Sequence, residues 1–239
     1  MLKNKYIKLA SILLILCLIT SCVISGTLAK YTTGGTATDS ARVAKWGVNV
    51  SVVGDNAFKT AYGTTVVSSD TDSVVAPGTK GTLATVTVSG QPEVKVNYAV
   101  NVDLELTDSW SVGAGMDYCP IVFTVKSGSS VVATVYMKSV GENKNSALEL
   151  ELEKAIINAL TGENTATADG TGSQHSVEKN AGTSLSSDIT VEWEWHYDGE
   201  SVGLPADAVN KDEYDTYIGS LPTAPTIFFS LEIFVTQIV

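Results

Sequence analysis

The stretch Val94-Lys95-Val96-Asn97-Tyr98-Ala99-Val100-Asn101-Val102-Asp103-Leu104-Glu105-Leu106 decides the fold class. Its even-numbered residues are all apolar, and most of the odd ones are polar or charged. A period of two places alternate side chains on opposite faces of an extended chain, so residues 94–106 read as a long strand with one buried and one solvated face. Similar runs occupy residues 46–53, 83–88, 121–125, 131–137, 189–197 and 226–238. Turn-prone pieces separate them, such as Ala76-Pro77-Gly78-Thr79, Ser89-Gly90-Gln91-Pro92 and Lys126-Ser127-Gly128-Ser129. Valine (29) and threonine (27) dominate the 239 residues, and β-branched side chains favour strands. Six or seven such strands, each with a polar face, predict an all-β fold of two sheets packed face to face.

One or two helices interrupt this pattern. Ser146 with Glu149 forms a capping box, Leu148, Leu152, Ala155, Ile156 and Ala159 share a face, and Gly162 supplies the stop. The alternation at 148–153 also admits a strand start. Val209, Tyr214, Tyr217 and Ile218 suggest a second helix over 207–218, with Gly219 just past its end. Residues 162–184 are polar and carry a single valine, which predicts a flexible surface loop. No repeat or linker divides residues 30–239, read as one domain.

The chain opens with Lys3, Lys5 and Lys8 ahead of an apolar run over 9–19, the arrangement of a secretory signal peptide over residues 1–29. The run extends to Ile24 only across Thr20 and Ser21, short of the roughly twenty apolar residues a spanning helix needs. Thr27 and Ala29 are small enough for a signal peptidase cut between Ala29 and Lys30. A second cut, before Cys22 in Leu18-Ile19-Thr20-Ser21-Cys22, would instead yield a lipoprotein. Cutting after Ala29 removes three lysines and no acid, moving the formal charge from −11 to −14. That charge disfavours a nucleic-acid partner.

The chemistry-bearing residues are few. With three cysteines and two histidines, the sequence has little from which to build a zinc or haem site. Cys119 precedes an apolar strand and reads as buried and inert. His175 falls in the polar loop, and His196 shares a strand face with Glu192 and Glu194, opposite Trp193 and Trp195. Neither belongs to a His-Glu-x-x-His helix, and no nucleophile elbow or phosphate loop is present. Asp70 with Asp72, and Asp212, Glu213 and Asp215, offer oxygens for calcium but match no calcium loop, so they read as solvated acids. Leu221-Pro222-Thr223-Ala224-Pro225 lacks the remainder of a sortase signal. No catalytic residue, metal or cofactor is expected.

Several segments together resemble a known family. They are Ser25-Gly26-Thr27-Leu28-Ala29-Lys30-Tyr31, then Asp39-Ser40-Ala41-Arg42-Val43-Ala44-Lys45-Trp46-Gly47-Val48, Val75-Ala76-Pro77-Gly78-Thr79, Ser89-Gly90-Gln91-Pro92-Glu93-Val94, Val191-Glu192-Trp193-Glu194-Trp195, Asp215-Thr216-Tyr217-Ile218-Gly219 and Thr236-Gln237. These look like the TasA and camelysin family of secreted Gram-positive proteins. The resemblance implies a jelly-roll-like sandwich, export with cleavage by a SipW-type signal peptidase, and head-to-tail assembly into biofilm-matrix fibres outside the cell. It further implies that the freed arm, about residues 30–41, inserts as a donor strand into the next subunit. The arm residues are Tyr31, Thr32, Thr33, Gly34, Gly35, Thr36, Ala37 and Thr38. Its threonines favour extended chain, and its glycines and alanine suit a tight groove. Two alternatives stay open: an accessory subunit or surface adhesin bound to other matrix or cell-wall components, and a camelysin-like metalloprotease.

Overall fold

The computed structural model describes residue 8 and residues 11–15, 42–54, 57–69, 71–111, 117–137, 144–163, 173–196 and 211–238. The chain divides into two compact units, Met1–Ala44 and Lys45–Val239. In the first, residues 11–15 are helical and expose Ile12, Leu13, Leu14 and Ile15.

The second unit is predominantly β, and among the described residues every strand pair in it is antiparallel. Its elements run β1 (Val48–Val53), β2 (Ala61–Tyr62), β3 (Val66–Val67), β4 (Lys80–Gly90), β5 (Val96–Leu106), β6 (Ile121–Ser127), β7 (Ser130–Val135), α1 (Asn145–Thr161), β8 (Ser173–Lys179), β9 (Leu185–Trp195), α2 (Lys211–Gly219) and β10 (Ile227–Gln237). One sheet has the order β1-β4-β9-β6-β7 and another β10-β5-β8, while β2 and β3 form a small hairpin. The seven runs expected from alternation are all strands, with ends shifted by a few residues.

On β5 the expected face is the buried one: Val96, Tyr98, Val100, Val102, Leu104 and Leu106 are each no more than 6% exposed. All but Val96 join Val86 and Val88 of β4, Phe123 and Val125 of β6, Val191 and Trp193 of β9 and the apolar side of α1 in one core cluster. Both larger sheets therefore bury their apolar faces in the same interior. The Gly47–Gly90 corner at the start of β1 needs glycine at both positions. Gln91 N–H donates to the Gly47 carbonyl (2.9 Å), and a Cβ on Gly90 would lie 1.9 Å from that same oxygen.

Three sequence expectations need correction. Residues 173–179, placed in a flexible loop by composition, form β8, paired with β5 from Val96↔Lys179 to Val102↔Ser173. A polar segment becomes a strand here because β5 offers it a ladder and Val177 a buried seat. The α1 N-terminus is not held by a Ser146–Glu149 box. The first helical N–H, that of Asn145, donates to Asp117 Oδ2 (3.0 Å), and Glu149 instead accepts from the Leu106 N–H (2.7 Å). Gly219 is the last residue of the second helix rather than the residue after it, while the expected start at 207 lies outside the described residues. Gly162 does end α1, in the left-handed region (φ 74°), with its N–H donating to Asn158 O.

The two carboxylates of α1 have a specific task. Among the described residues the β5–β8 pairing ends at Val102↔Ser173, and β5 runs on by four residues. Glu153 Oε1 accepts from Leu104 N–H (3.1 Å), and Glu149 Oε1 from Leu106 N–H. Spaced four apart on one helix face, they supply acceptors to the backbone of β5 beyond its last described β8 partner.

Candidate functional site

Among the described residues, β1 and β10 each have one hydrogen-bonded neighbour, so each ends its sheet. Residues paired across a ladder point to the same face. Val50 pairs with Val88 and Val52 with Val86, so both β1 valines face the interior, as their buried partners do. Yet Val50 is 40% and Val52 38% exposed, against 2% for Val88 and 0% for Val86. On β10 the same holds: Phe229, Leu231, Ile233 and Val235 pair with buried Leu104, Val102, Val100 and Tyr98 but are only half-buried themselves. The interior is therefore open along one side.

Val52 and Gly54 on the β1 side, and Phe229 and Leu231 on the β10 side, line a cavity of about 260 Å³ floored by Leu83 and Ala84. The outer face of β10 adds Phe228 and Phe234, about half exposed. An apolar seam flanked by two end strands is a template for adding a further strand.

The seam widens beyond the start of β10. A second cavity, of about 510 Å³, shares Phe58 and Ile227 with the first and is walled by Trp110, Trp195, Ile218 and Pro225, with exposed Asp72 also lining it. Hydrogen bonds fix these walls. Trp110 Nε1–H donates to Thr226 O (3.0 Å), Trp195 Nε1–H to Asp215 Oδ2 (3.2 Å), and the Tyr118 hydroxyl to Asp215 Oδ1 (2.9 Å). The indoles of Trp110 and Trp195 lie 5.9 Å apart. Burial and the adjacent Asp215 carboxylate hold the Tyr118 phenol above the ordinary tyrosine range. Asp215 is thus no solvated acid: it ties α2 to the end of β9 and to the loop before β6. The Tyr118 hydroxyl and the Trp195 indole N–H, one on each oxygen, orient its carboxylate.

The other sequence candidates fall elsewhere. Ala29, Lys30, the arm residues Tyr31, Thr32, Thr33, Gly34, Gly35, Thr36, Ala37 and Thr38, and also Cys22 and Asp70, lie outside the described residues. The side chains of Asp212 and Glu213 do as well. His175 sits on β8 with Nε2 3.1 Å from Glu163, whereas His196 lies just past the end of β9 rather than in it, with Nε2 3.8 Å from Glu194. Trp193 and Trp195 are buried opposite the Glu192 and Glu194 face, as alternation predicts. Cys119 is 2% exposed, and burial pushes its thiol pKa up to about 12. Among the described residues no three His, Cys, Asp or Glu groups converge as a metal site, and no helix is long and apolar enough to cross a membrane.

Alternation alone could not mark the seam, because it gives the face a side chain points to and not what stands opposite. One signal was present. Ile227-Phe228-Phe229 and Ile233-Phe234-Val235 are apolar on both faces, which a strand with one solvated side does not require. No family, curated protein or solved structure matches the chain in comparison with known proteins.

Proposed function

We propose that the chain is a secreted structural subunit of extracellular matrix fibres, exported with removal of residues 1–29 and assembled head to tail. The donor would be the arm at residues 30–41 of one subunit, and the acceptor the β1/β10 seam of the next. The observation that carries this reading is the exposure of Val50 and Val52 on the inward face of β1, where their ladder partners are buried. An inserted strand would cover them and add hydrogen bonds along a sheet end.

With this goes a jelly-roll-like reading of the sandwich. It is supported by antiparallel pairing throughout and by a chain that passes from sheet to sheet between β4, β5 and β6 and again between β8, β9 and β10. Signal peptidase is then the trigger, because an arm continuous with the leader is not free to insert. Head-to-tail insertion is heterologous and yields an open filament when its rotation does not close. A mature charge of −14 keeps monomers apart at low salt, so salt or acid promotes assembly.

The test is electron microscopy of the mature chain Lys30–Val239 beside one starting at Val43, both at mildly acidic pH. Filaments from the longer chain alone are expected. Filaments from both overturn the role of the arm, and filaments from neither move the protein to the accessory or adhesin class.

A further inference from the structure

The geometry points to one polarity and one anchor for the inserted arm: Tyr31 of a second copy seats in the wide cavity between Phe58, Trp110, Trp195 and Pro225, and the arm runs antiparallel to β1. This rests on the donor-strand reading of the seam, and adds to it which residue binds where.

The arm and the seam taper in the same sense. Residues 30–41 read Lys-Tyr-Thr-Thr-Gly-Gly-Thr-Ala-Thr-Asp-Ser-Ala, with Tyr31 the single aromatic and nothing larger than threonine over 32–38. In an extended chain Tyr31, Thr33, Gly35 and Ala37 share one face, so that face presents one large side chain followed by small ones. The seam offers about 510 Å³ at its aromatic end and about 260 Å³ next to it. Both cavities can hold a phenol ring, but the wide end gives it about twice the volume and the indole walls of Trp110 and Trp195.

Polarity follows from where the cavities lie. The wide one is bounded by Pro225, Thr226 and Ile227 at the start of β10, and the narrow one by Val52 and Gly54 at the end of β1. A strand that begins in the wide cavity passes Val52 and then Val50, opposite in direction to β1, which gives the commoner antiparallel ladder. Twelve residues at about 3.3 Å each reach about 40 Å, enough to cover β1 and leave a connection to the donor's own domain.

Charge agrees with this placement. Lys30 lies on the opposite face from Tyr31 and, after cleavage, also carries the new α-amino group. Asp72, exposed at the wide cavity, supplies a carboxylate for these two cations.

The experiment uses the full mature chain. Tyr31→p-benzoylphenylalanine filaments are irradiated and the inter-subunit cross-links mapped by mass spectrometry, with cross-links to Phe58 and to the segment 224–227 expected. Tyr31→Ala is expected to raise the critical concentration about tenfold or more, while Tyr31→Phe stays within about twofold of the parent. Filaments whose cross-links fall near Phe234 and Gln237 overturn the polarity while leaving strand insertion intact. Unchanged assembly of Tyr31→Ala overturns the anchor. Failure of the parent chain to form filaments at all overturns the donor-strand reading and this inference with it.

Discussion

Glu153→Ala tests whether α1 supplies the acceptor for the buried end of β5. Glu153 is 3% exposed, and its Oε1 accepts from the Leu104 N–H at 3.1 Å. Leu104 is itself 2% exposed and lies beyond the last β8 partner, so truncation strands its amide donor in the interior. A buried donor left without an acceptor costs about 1–3 kcal/mol, and bonds to a carboxylate lie at the upper end. Relief of a buried carboxylate offsets part of this. The net expectation is a loss of about 2 kcal/mol, or about 4–8 °C in Tm for a domain of this size. Urea melts followed by tryptophan fluorescence measure it, at low salt and low protein concentration. Glu153→Gln keeps an oxygen acceptor in place and should lose no more than about 1 kcal/mol. A loss below about 0.5 kcal/mol for Glu153→Ala would refute the argument, because the Leu104 amide would then be satisfied without the helix.

The neighbouring Glu149 sets a pH dependence. Burial raises its pKa, the Leu106 N–H lowers it, and the carboxylates of Glu153, Glu105 and Asp103 raise it again, with buried Cys119 nearby. A raised folded pKa means the group's contribution is fully present below the ordinary glutamate value and is lost as pH rises through the folded value. Glu149→Gln should therefore gain stability relative to the parent as pH climbs through that window, and a pH-independent difference in urea midpoint would contradict this. Val52→Asp should abolish filaments while costing the monomer no more than about 1 kcal/mol, since Val52 is already 38% exposed. Val86→Ala on the same face should cost about 2 kcal/mol, because Val86 is fully buried. Equal urea midpoints for the two variants would show that the seam is not open. Cys119 should resist a thiol reagent at pH 8 in the folded protein and react at once in denaturant, since burial holds its pKa near 12. Rapid native labelling would place the thiol at the surface.

The strands were legible in the sequence because a half-buried ladder needs a period of two, and β5 keeps it through Leu106 without a break. Helix α1 and its Gly162 stop were legible for the same kind of reason: period and a left-handed terminus are local properties. Tertiary structure decided everything that depends on what lies across a gap. It made a strand of the polar residues 173–179, because β5 had a free side to offer, and turned Glu149 from a cap into an acceptor for a strand amide. Asp215 became the tie between two aromatic residues and a helix. The candidate site divides in the same way. The proposed donor arm at 30–41 is a stretch of sequence, picked out by its threonines and its single tyrosine. The seam exists only because β1 and β10 end different sheets side by side, and the pattern of Val50 and Val52 is the same whether or not anything covers them. Alternation fixes direction, and only the packing of the two sheets fixes exposure.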